Sequence, residues 1–413
     1  MSTYANVLTI AIPIFFFLVL LEILYGLISK KYYYSFMDTL SSLSSGITNL
    51  LKDLLGIGII IISYPFIKKS ISIIDLNESI VLYIIAFLCL DFASYWNHRL
   101  NHSINFFWNQ HVIHHSSQEF NLACALRQSI SNLLGYGAIF LIPAAIFGVP
   151  HKVISLLAPL HLFGQFWYHT KHIGKLGFLE YIFVTPSQHR VHHAINSEYI
   201  DKNLSAIFCI WDRLFGTFQE ELEETPCIYG TLKPVNTWNP FIINFQHFWY
   251  LVVDAWYTRD FNNKVKIWFM PTGWRPDDVK VTIKRDKIVD IYNQKKYNLE
   301  YKNIHVFFAI FNFIYINAAL WLLLIEYDQL DYNMKIFYSV FILTTVFGFT
   351  SVMDSYKWAT YIEFLRLTLG ITYINNIIGF ENFNFYFFNF YFMFSIFLTL
   401  TVSNYLPKKN KMV

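Results

Sequence analysis

Charged residues and cysteines are scarce in this 413-residue chain, and their scarcity excludes several classes of protein. Asp, Glu, Lys and Arg make up 14% of the sequence, whereas soluble domains carry about 25% charged residues. The four cysteines lie far apart and form no CxxC motif, which argues against a disulfide framework or a cysteine-based zinc site. The net charge of +3 gives no indication of nucleic-acid binding.

Several catalytic motifs are also missing. The chain has no HExxH, so it lacks the glutamate base of zinc proteases. It has no pair of ExxH motifs, which excludes a carboxylate-rich di-iron bundle. Neither a Walker loop nor a helix-opening GxGxxG is present. The apolar stretch at 7–28 lacks a basic leader and a cleavage site, so we predict a retained membrane span rather than a signal peptide.

Apolar residues are abundant, which predicts an integral membrane protein. Hydrophobic residues make up 55% of the chain and aromatic residues 20%, and the mean hydropathy is +0.38. Because about 20 apolar residues cross a bilayer, we predict an all-α, polytopic transmembrane helical bundle. The interrupted apolar region 130–168 predicts either a hairpin of two spans or a re-entrant pair. The other predicted spans are 7–28, 46–67, 80–97, 303–325, 335–353, 358–379 and 385–405.

Two further features of the predicted spans concern charge. Glu363 and Arg366 fall inside 358–379, where an i,i+3 ion pair would make them tolerable. The basic residues predict an external N-terminus, with the histidines and the C-terminus in the cytoplasm. Lys68 and Lys69 do not fit that orientation, whereas the following residues do: Lys30, Lys31, Arg99, Lys171, Lys175, Lys408, Lys409 and Lys411.

Eight of the fourteen histidines fall into three groups that predict a metal site. The first group is HxxxH and the other two share the spacing HxxHH; they comprise His98, His102, His111, His114, His115, His189, His192 and His193. Residues i, i+3 and i+4 of a helix share one face. Isolated histidines usually have ordinary structural roles, but eight in repeated spacings favour metal binding. They are too many for one ion of four to six ligands, so we predict two metals. Imidazole suits iron, zinc or copper, and the spacing does not choose among them.

One carboxylate accompanies the first histidine pair. Asp91, Tyr95, His98 and His102 lie on one predicted helical face. Because ligating imidazoles usually donate their second N–H to a carboxylate or carbonyl, we predict that Asp91 orients His98. The alternative is a solitary buried polar residue.

The histidine motifs resemble the fatty acid hydroxylase/sterol desaturase superfamily of membrane di-iron oxygenases. HRLNH, HVIHH and HRVHH occur in that order around a membrane hairpin. The flanking sequences are similar to the alkylglycerol monooxygenase branch; they are HHSSQEFNLACALRQS, QFWYHT, TPSQHRVHHAINSEYIDKN, WDRLFGTF and YGTLKPVNTWNP. The similarity covers about 80–280. It divides the chain into N-terminal transmembrane helices (1–79), a catalytic domain (80–300) and C-terminal transmembrane helices (301–413).

The resemblance implies a chemistry and a ligand set. Members of this family use two iron ions and O2 to oxidise a C–H bond of a lipid, and the alkylglycerol branch cleaves ether lipids with tetrahydrobiopterin as reductant. The eight clustered histidines would be ligands, with His169 as a ninth. His161 and His172 would be ligands or partners of ligands. Ser103 stands where that branch carries a glutamate, a departure that bears on the pterin and on the substrate.

Other polar residues near the motifs have two interpretations each. Arg127 and Gln128 either hold a lipid headgroup or cofactor, or anchor a helix end at the membrane interface. Asn121 is a further candidate for contact with the substrate or a cofactor. Asp201, Asn203 and Asp212 either orient the imidazoles of the third group or cap turns. The aromatic residues at 248–257 are typical of an interfacial belt.

Four hypotheses follow from the sequence. The first is a membrane-bound di-iron lipid monooxygenase whose partners are a membrane lipid, O2 and an unidentified electron donor. The second is a sterol or fatty acid desaturase, or a hydroxylase of another lipid. The third is a histidine-based metal transporter, which should place polar residues near the midplane of several spans. The last, a b-type haem carrier, needs axial histidines inside spans. The position of the histidines at span ends favours an enzyme.

Overall fold

The structure, a computed structural model, describes residues 2–377 and 383–409. Lys411 and part of the predicted 358–379 span lie outside those ranges. In the described residues the helices, in chain order, are α1 (Ser2–Ile28), α2 (Phe36–Leu54), α3 (Tyr64–Ile71), α4 (Ile80–Ser103), α5 (Asn105–Trp108), α6 (Val112–His115), α7 (Ile142–Ile146), α8 (His151–Phe163), α9 (Pro186–His193), α10 (Ile210–Leu214), α11 (Pro240–Tyr257), α12 (Phe261–Phe269), α13 (Asp277–Thr282), α14 (Asn303–Ile325), α15 (Tyr332–Met353), α16 (Ala359–Ile377) and α17 (Phe383–Ser403).

The described part of the chain has two small sheets and, outside them, three isolated β-bridges. The first pairs β1 (Ile59–Ile60) in parallel with β2 (Leu134–Gly135). The second pairs β3 (Leu299–Glu300) with β4 (Lys408–Lys409) in antiparallel orientation. Short 3-10 helices occur at Cys124–Leu126, Gly137–Leu141 and Gly177–Tyr181. The fold is therefore mostly helical, as the sequence predicted.

Five helices of the described residues are long and apolar enough to cross a bilayer. They are Ala5–Ile28, Ile80–Ser103, Asn303–Ile325, Tyr332–Met353 and Phe383–Ser403. The prediction of a multi-pass membrane protein is confirmed on this basis. The region 130–168 contains two shorter apolar helices, Gly137–Ile146 and His151–Phe163, which fit the re-entrant alternative better than two full spans.

Two of the predicted spans differ in the structure. Residues 46–67 do not form one helix, because α2 ends at Leu54 and Gly56 has a left-handed φ of +63°. This conformation suits glycine, and it ends the helix despite the apolar residues beyond it. Helix α16 forms close to the predicted place but is not among the five candidate spans. Its predicted ion pair is present, with 2.7 Å between Arg366 Nη2 and Glu363 Oε2.

The two largest apolar cores of the described residues hold most of these helices together. The larger joins α2 to α14, α15, α16 and α17 and includes Leu51, Phe308, Phe349 and Phe388, each 0% exposed. The smaller joins α4 to α3, α7 and α8. Helix α4 is capped by Ser79, whose Oγ accepts the Leu82 N–H at 3.4 Å. The helix continues without interruption beyond its predicted end at residue 97 and carries the first histidine pair on its last turns.

Candidate metal centre

Nine histidines come together as two adjacent groups with the geometry of metal-binding sites. The first group contains His98, His102, His111, His115 and His192, and the second His114, His169, His189 and His193. Within each group one ring nitrogen per residue lies within 4.8 Å of all the others. The groups are in contact, since the ring centroids of His115 and His193 are 4.4 Å apart. The prediction of two metals from the number of histidines agrees with this arrangement.

Each HxxHH motif contributes to both groups, which the sequence interpretation did not anticipate. His111 and His115, spaced i and i+4, join the first group, but His114 between them joins the second. In the third motif His189 and His193 belong to the second group and His192 to the first. Residues that can share one helical face therefore serve two different groups here. His114 comes one residue before His115, and successive residues of a helix are about 100° apart around its axis. The His114 side chain therefore points to the neighbouring group.

Short helices and backbone turns position these side chains. Helix α9 carries the third motif; its Thr185 cap accepts the Gln188 N–H at 3.4 Å, and Pro186 occupies the first turn, where proline is favoured. Helix α6 is a single turn that holds His114 and His115. His169 follows α8 in an irregular segment. The centre is thus built where helices end, as the motifs at span ends predicted.

Backbone carbonyls fix the orientation of four imidazoles. The Nδ1 atoms of His98, His114, His169 and His192 lie 2.8, 3.2, 3.1 and 3.0 Å from the carbonyl oxygens of Leu204, Arg127, Gln165 and Lys202. A carbonyl only accepts, so each Nδ1 must carry the proton and each neutral Nε2 must present a lone pair. Such outer contacts set the tautomer that a metal ligand needs.

The Nε2 atoms converge in a way that fits bound cations. Those of His114 and His169 face each other at 3.4 Å, and both present lone pairs because both Nδ1 atoms donate to carbonyls. The buried Nε2 atoms of His102 and His192 have no hydrogen-bond partner within the described structure. Facing lone pairs and buried unpaired acceptors are unfavourable unless a cation lies between them. The donor set therefore fits two metal ions.

Burial keeps the imidazoles neutral, which is the form that binds metals. Desolvation lowers the pKa of His114 to about 4, and the His102 imidazole and the Arg127 guanidinium lower it further. Desolvation likewise lowers the pKa values of His111, His115, His169, His189, His192 and His193 well below the usual range.

Asp201, Asn203 and Asp212, which follow the third motif, contact other groups than the imidazoles of that motif. Asp201 Oδ1 lies 3.1 Å from His102 Nδ1, so it orients an imidazole of the first pair rather than of the third motif. Asp212 accepts the backbone N–H groups of Leu204 and Ser205 at 2.7 and 2.9 Å, which fixes the loop whose carbonyl holds His98. Asn203 braces the same loop through Gln188 and Gln219 and touches no imidazole of the centre.

Asp91 does not orient His98, and the prediction based on helical spacing is wrong. Its carboxylate binds His161 Nε2 at 2.7 Å, and it also accepts the Trp211 indole N–H at 2.9 Å. His161 is therefore held by Asp91 and lies outside both histidine groups. His172 is outside them too; its ring packs against Tyr25 and Tyr33 at centroid distances of 4.9 and 5.0 Å.

Arg127 is a buried residue with structural contacts, and it also lines the cavity described below. It is only 1% exposed. Its guanidinium pairs with Asp38 at 2.9 Å and donates to Ser42 and Ser116 at 2.8 and 2.7 Å. It therefore ties α2 to the segment that carries His115. The sequence did not identify Asp38 as the partner of Arg127, because an acidic residue in the first turn of a helix usually interacts with the N-terminal end of that helix.

The remaining candidates differ in their access to the centre. Asn121 is buried and braces the chain, with its amide donating to the Tyr33 carbonyl at 2.7 Å. Ser103 is exposed, and its hydroxyl donates to the Arg99 carbonyl at 2.6 Å. Gln128 lines the cavity described below. Of these three, only Gln128 lies where a substrate or cofactor near the histidines would contact it.

A cavity of about 470 Å³ connects the two histidine groups to an apolar region between helices. Its polar part includes Asn97, Asn101, Gln110 and Gln165, which sequence reasoning missed. Asn97 and Asn101 could have been found from their i, i+4 spacing beside the first histidine pair. Its apolar part is formed by α1, α2, α14, the end of α8 and the segment after α8, through Leu8, Ile12, Phe15, Phe16, Leu43, Ile47, Leu50, Leu162, Phe166 and Leu320.

Replacing Asp201 with asparagine is expected to weaken metal binding in the first group. The variant loses the charge that supports the His102 N–H, and loss of such an outer partner typically costs 10- to 100-fold in affinity. Asn tolerates the left-handed φ of +56° at this position, so the backbone should be preserved. Metal titration of the purified protein measures the change. The exposed neighbour Glu198, changed to Gln, is the control, and equal affinities in the two variants would contradict this role.

Comparison with known proteins agrees with this geometry. The fatty acid hydroxylase family matches residues 83–217. Alkylglycerol monooxygenase from Homo sapiens is 39% identical over 268 residues, which cover 64% of this chain and 59% of that protein. The enzyme of the same name from Danio rerio is 31% identical over 361 residues, 87% of this chain and 80% of that protein. An ornithine lipid hydroxylase from Rhizobium tropici is 29% identical over 135 residues, 33% of this chain and 41% of that protein.

No solved structure matches the chain. The matched segment of the human relative is less than two thirds of its length, whereas the fish relative aligns over most of both proteins. All nine grouped histidines lie within the family match, residues 83–217. From the alignment with the fish protein and the family match, the chain belongs to the fatty acid hydroxylase family.

Proposed function

We propose that this protein is a membrane-bound, di-iron, O2-dependent monooxygenase that hydroxylates a C–H bond of a long-chain lipid. The observation that carries the proposal is the cavity that joins both histidine groups to an apolar region among membrane helices. The names of its relatives support an alkylglycerol ether as substrate. Two iron ions held by the nine histidines would supply the activation of O2.

The proposed reaction consumes one O2, two electrons and two protons. One oxygen atom enters the C–H bond next to the ether oxygen, and the other leaves as water. The resulting hemiacetal breaks its C–O bond to give a fatty aldehyde, and the glycerol oxygen takes up the proton of the new hydroxyl group. A tetrahydropterin or another reductant supplies the electrons.

The residues of the chain orient the substrate in this proposal. The apolar side chains of α1 and α2 bind the alkyl chain, while Asn97, Asn101 and Gln110 offer hydrogen bonds to the glycerol head. The Tyr136 hydroxyl lies 3.0 Å from Asn101 Oδ1 and 2.9 Å from Gln110 Oε1, which holds both amides in place. Ser103 takes no part, since it does not line the cavity.

The lipid would enter sideways from the bilayer, between α1 and α14. A second, apolar cavity of about 390 Å³ lies between these helices and is lined on both sides. Ile12, Phe16 and Leu320 line this cavity and the one that reaches the histidines. These three side chains therefore separate a lipid-facing opening from the metal centre.

An assay for fatty aldehyde tests the proposed function. Membranes that contain the protein receive an alkylglycerol, O2 and either a tetrahydropterin or a ferredoxin/NADPH system. We expect aldehyde with at least one donor, and none from membranes that contain the His114→Ala variant. Absence of aldehyde with both donors, together with a hydroxylated or desaturated native lipid, would instead support the hydroxylase or desaturase alternative.

Replacing Ile12 with tryptophan is expected to shift the preference of the enzyme toward shorter alkyl chains. The larger ring fills part of the apolar region, and each methylene group that is no longer buried loses about 0.8 kcal/mol. Exclusion of two methylenes therefore lowers kcat/KM for the longest chains by about tenfold. Leu20→Trp, on the same helix but outside the cavity and 51% exposed, is the control. An unchanged chain-length profile in Ile12→Trp would contradict the proposed path.

We also propose that the metal centre and the C-terminus face the cytoplasm. The support is that Lys30, Lys31, Arg99, Lys171 and Lys175 all fall on one side if the N-terminus is external. A reporter fused to the C-terminus should be active only in the cytoplasm. Activity restricted to the other side of the membrane would reverse the proposed orientation.

A further inference from the structure

A separate polar cavity of about 380 Å³ lies beside helix α11, away from the metal centre. It is bounded by α11 on one side and by the segments 233–236 and 283–286 on the other. None of its lining residues lines the cavity that reaches the histidines. A ligand bound here would therefore differ from the substrate in the metal centre.

The positive charges around this cavity outnumber their carboxylate partners. Asp254 is the shared partner of two guanidinium groups, those of Arg275, at 2.6 Å, and Arg285. Lys233 lines the cavity and has no carboxylate within 4.0 Å among the described residues. Asp286 lines it as well but is exposed. Buried or partly buried charges require counter-ions, and the chain supplies too few here.

Arg285 gives a second and independent indication of a ligand. Its side chain is only 9% exposed. The guanidinium lies 4.0 Å from the centre of the Tyr250 ring, and Nη2 donates to the Tyr250 carbonyl at 2.9 Å. Its buried Nε has no hydrogen-bond partner in the described structure. A buried donor without a partner is unfavourable, and an anion in the cavity could accept from it.

The electrostatic state of Lys233 agrees with an anion site. Desolvation and the charges of Arg275 and Arg285 lower the pKa of Lys233 to about 8. The ammonium is therefore held against repulsion from its neighbours, which a bound anion would relieve.

The outer side of α11 indicates where such an anion comes from. Trp249, which lines the cavity, is 63% exposed, and the exposed aromatic residues of the helix continue through Phe245, Phe248, Trp256 and Tyr257. Aromatic residues of this kind are enriched at the interface between membrane and water. Phospholipid phosphates lie at the same depth, within reach of cationic side chains.

We propose that Lys233, Lys284 and Arg285 form a phosphate-binding site, which takes the headgroup of a membrane phospholipid. Lysine and arginine are the side chains that bind phosphate best, through charge-assisted hydrogen bonds. A soluble phosphate ester has the same chemistry, and the experiment distinguishes the two sources.

Binding to the full-length protein in a neutral detergent tests the site. The probes are dioctanoyl phosphatidate, inorganic phosphate and, as the zwitterionic comparison, dioctanoyl phosphatidylcholine. We expect phosphatidate to bind at least tenfold more tightly than phosphatidylcholine. Binding of phosphatidate alone assigns the site to a lipid headgroup, whereas equally tight binding of inorganic phosphate assigns it to a soluble phosphate.

The variants Lys233→Gln and Lys284→Gln show whether these side chains form the site. Each should weaken phosphatidate binding by tenfold or more. Lys280→Gln removes an exposed lysine outside the cavity and should change the affinity by less than twofold. If Lys233→Gln fails to fold, the exposed Lys284 decides the matter. Wild-type protein that binds neither phosphate probe, or affinity unchanged in the folded variants, would overturn the proposal.

Discussion

His192→Ala should lower the iron content of the purified protein below two ions per chain and abolish lipid oxidation. His192 belongs to the first histidine group although its motif neighbours His189 and His193 belong to the second. It connects the two groups, because its ring stacks against that of His189, a member of the second group, at a centroid distance of 5.2 Å. Removal of a ligand should weaken metal binding more than removal of an outer partner, which already costs 10- to 100-fold.

Iron content and activity must be measured on the same preparations. His114→Ala is the reciprocal variant, since it removes the member of the second motif that joins the second group. His151 is exposed and lies outside both groups, so His151→Ala is the matched control and should keep its iron and its activity. Two irons per chain in folded His192→Ala protein would refute the role assigned to this residue.

Most of the histidine centre could be predicted, because the spacing of its histidines is visible within short stretches of the sequence. The spacings HxxxH and HxxHH bring i and i+4 imidazoles together on any helical turn. The division of each HxxHH between two groups depends on how α4, α6 and α9 meet, and residue spacing does not contain that information. The partner of Asp91 could not be found for the same reason, since His161 is 70 positions away in the chain.

The membrane helices illustrate a similar limit. Apolar composition located α1, α14, α15 and α17, since length and hydropathy decide those spans. Within 46–67 the apolar composition predicts a continuous helix, but the chain has glycines at 56 and 58 and α2 ends at Leu54. Helix α2 instead buries a serine-rich face, with Ser41, Ser42, Ser44 and Ser45 each at most 1% exposed. Such a polar face predicts packing against other parts of the protein rather than against lipid.

Arg127→Met is expected to lower the free energy of unfolding by about 3–5 kcal/mol, which is typical when one partner of a buried ion pair is removed. Asp38 would then be a buried carboxylate without its guanidinium. The variant should also lose iron, because it loses the guanidinium that holds Ser116 beside His115 and that fixes the segment whose backbone carbonyl, at residue 127, orients His114. Unfolding in detergent, followed together with iron content, measures both effects.

A second substitution separates charge from packing. In the double variant with Asp38→Asn the uncompensated charge is gone, while the Asn oxygen can still accept from Ser117, whose hydroxyl lies 2.7 Å from Asp38 Oδ1. We therefore expect the double variant to recover at least half of the lost stability. Lys280→Met breaks the exposed pair with Asp277 and should cost less than about 1 kcal/mol. If Arg127→Met were as stable as this control, the buried pair would not be what holds α2 against the metal centre.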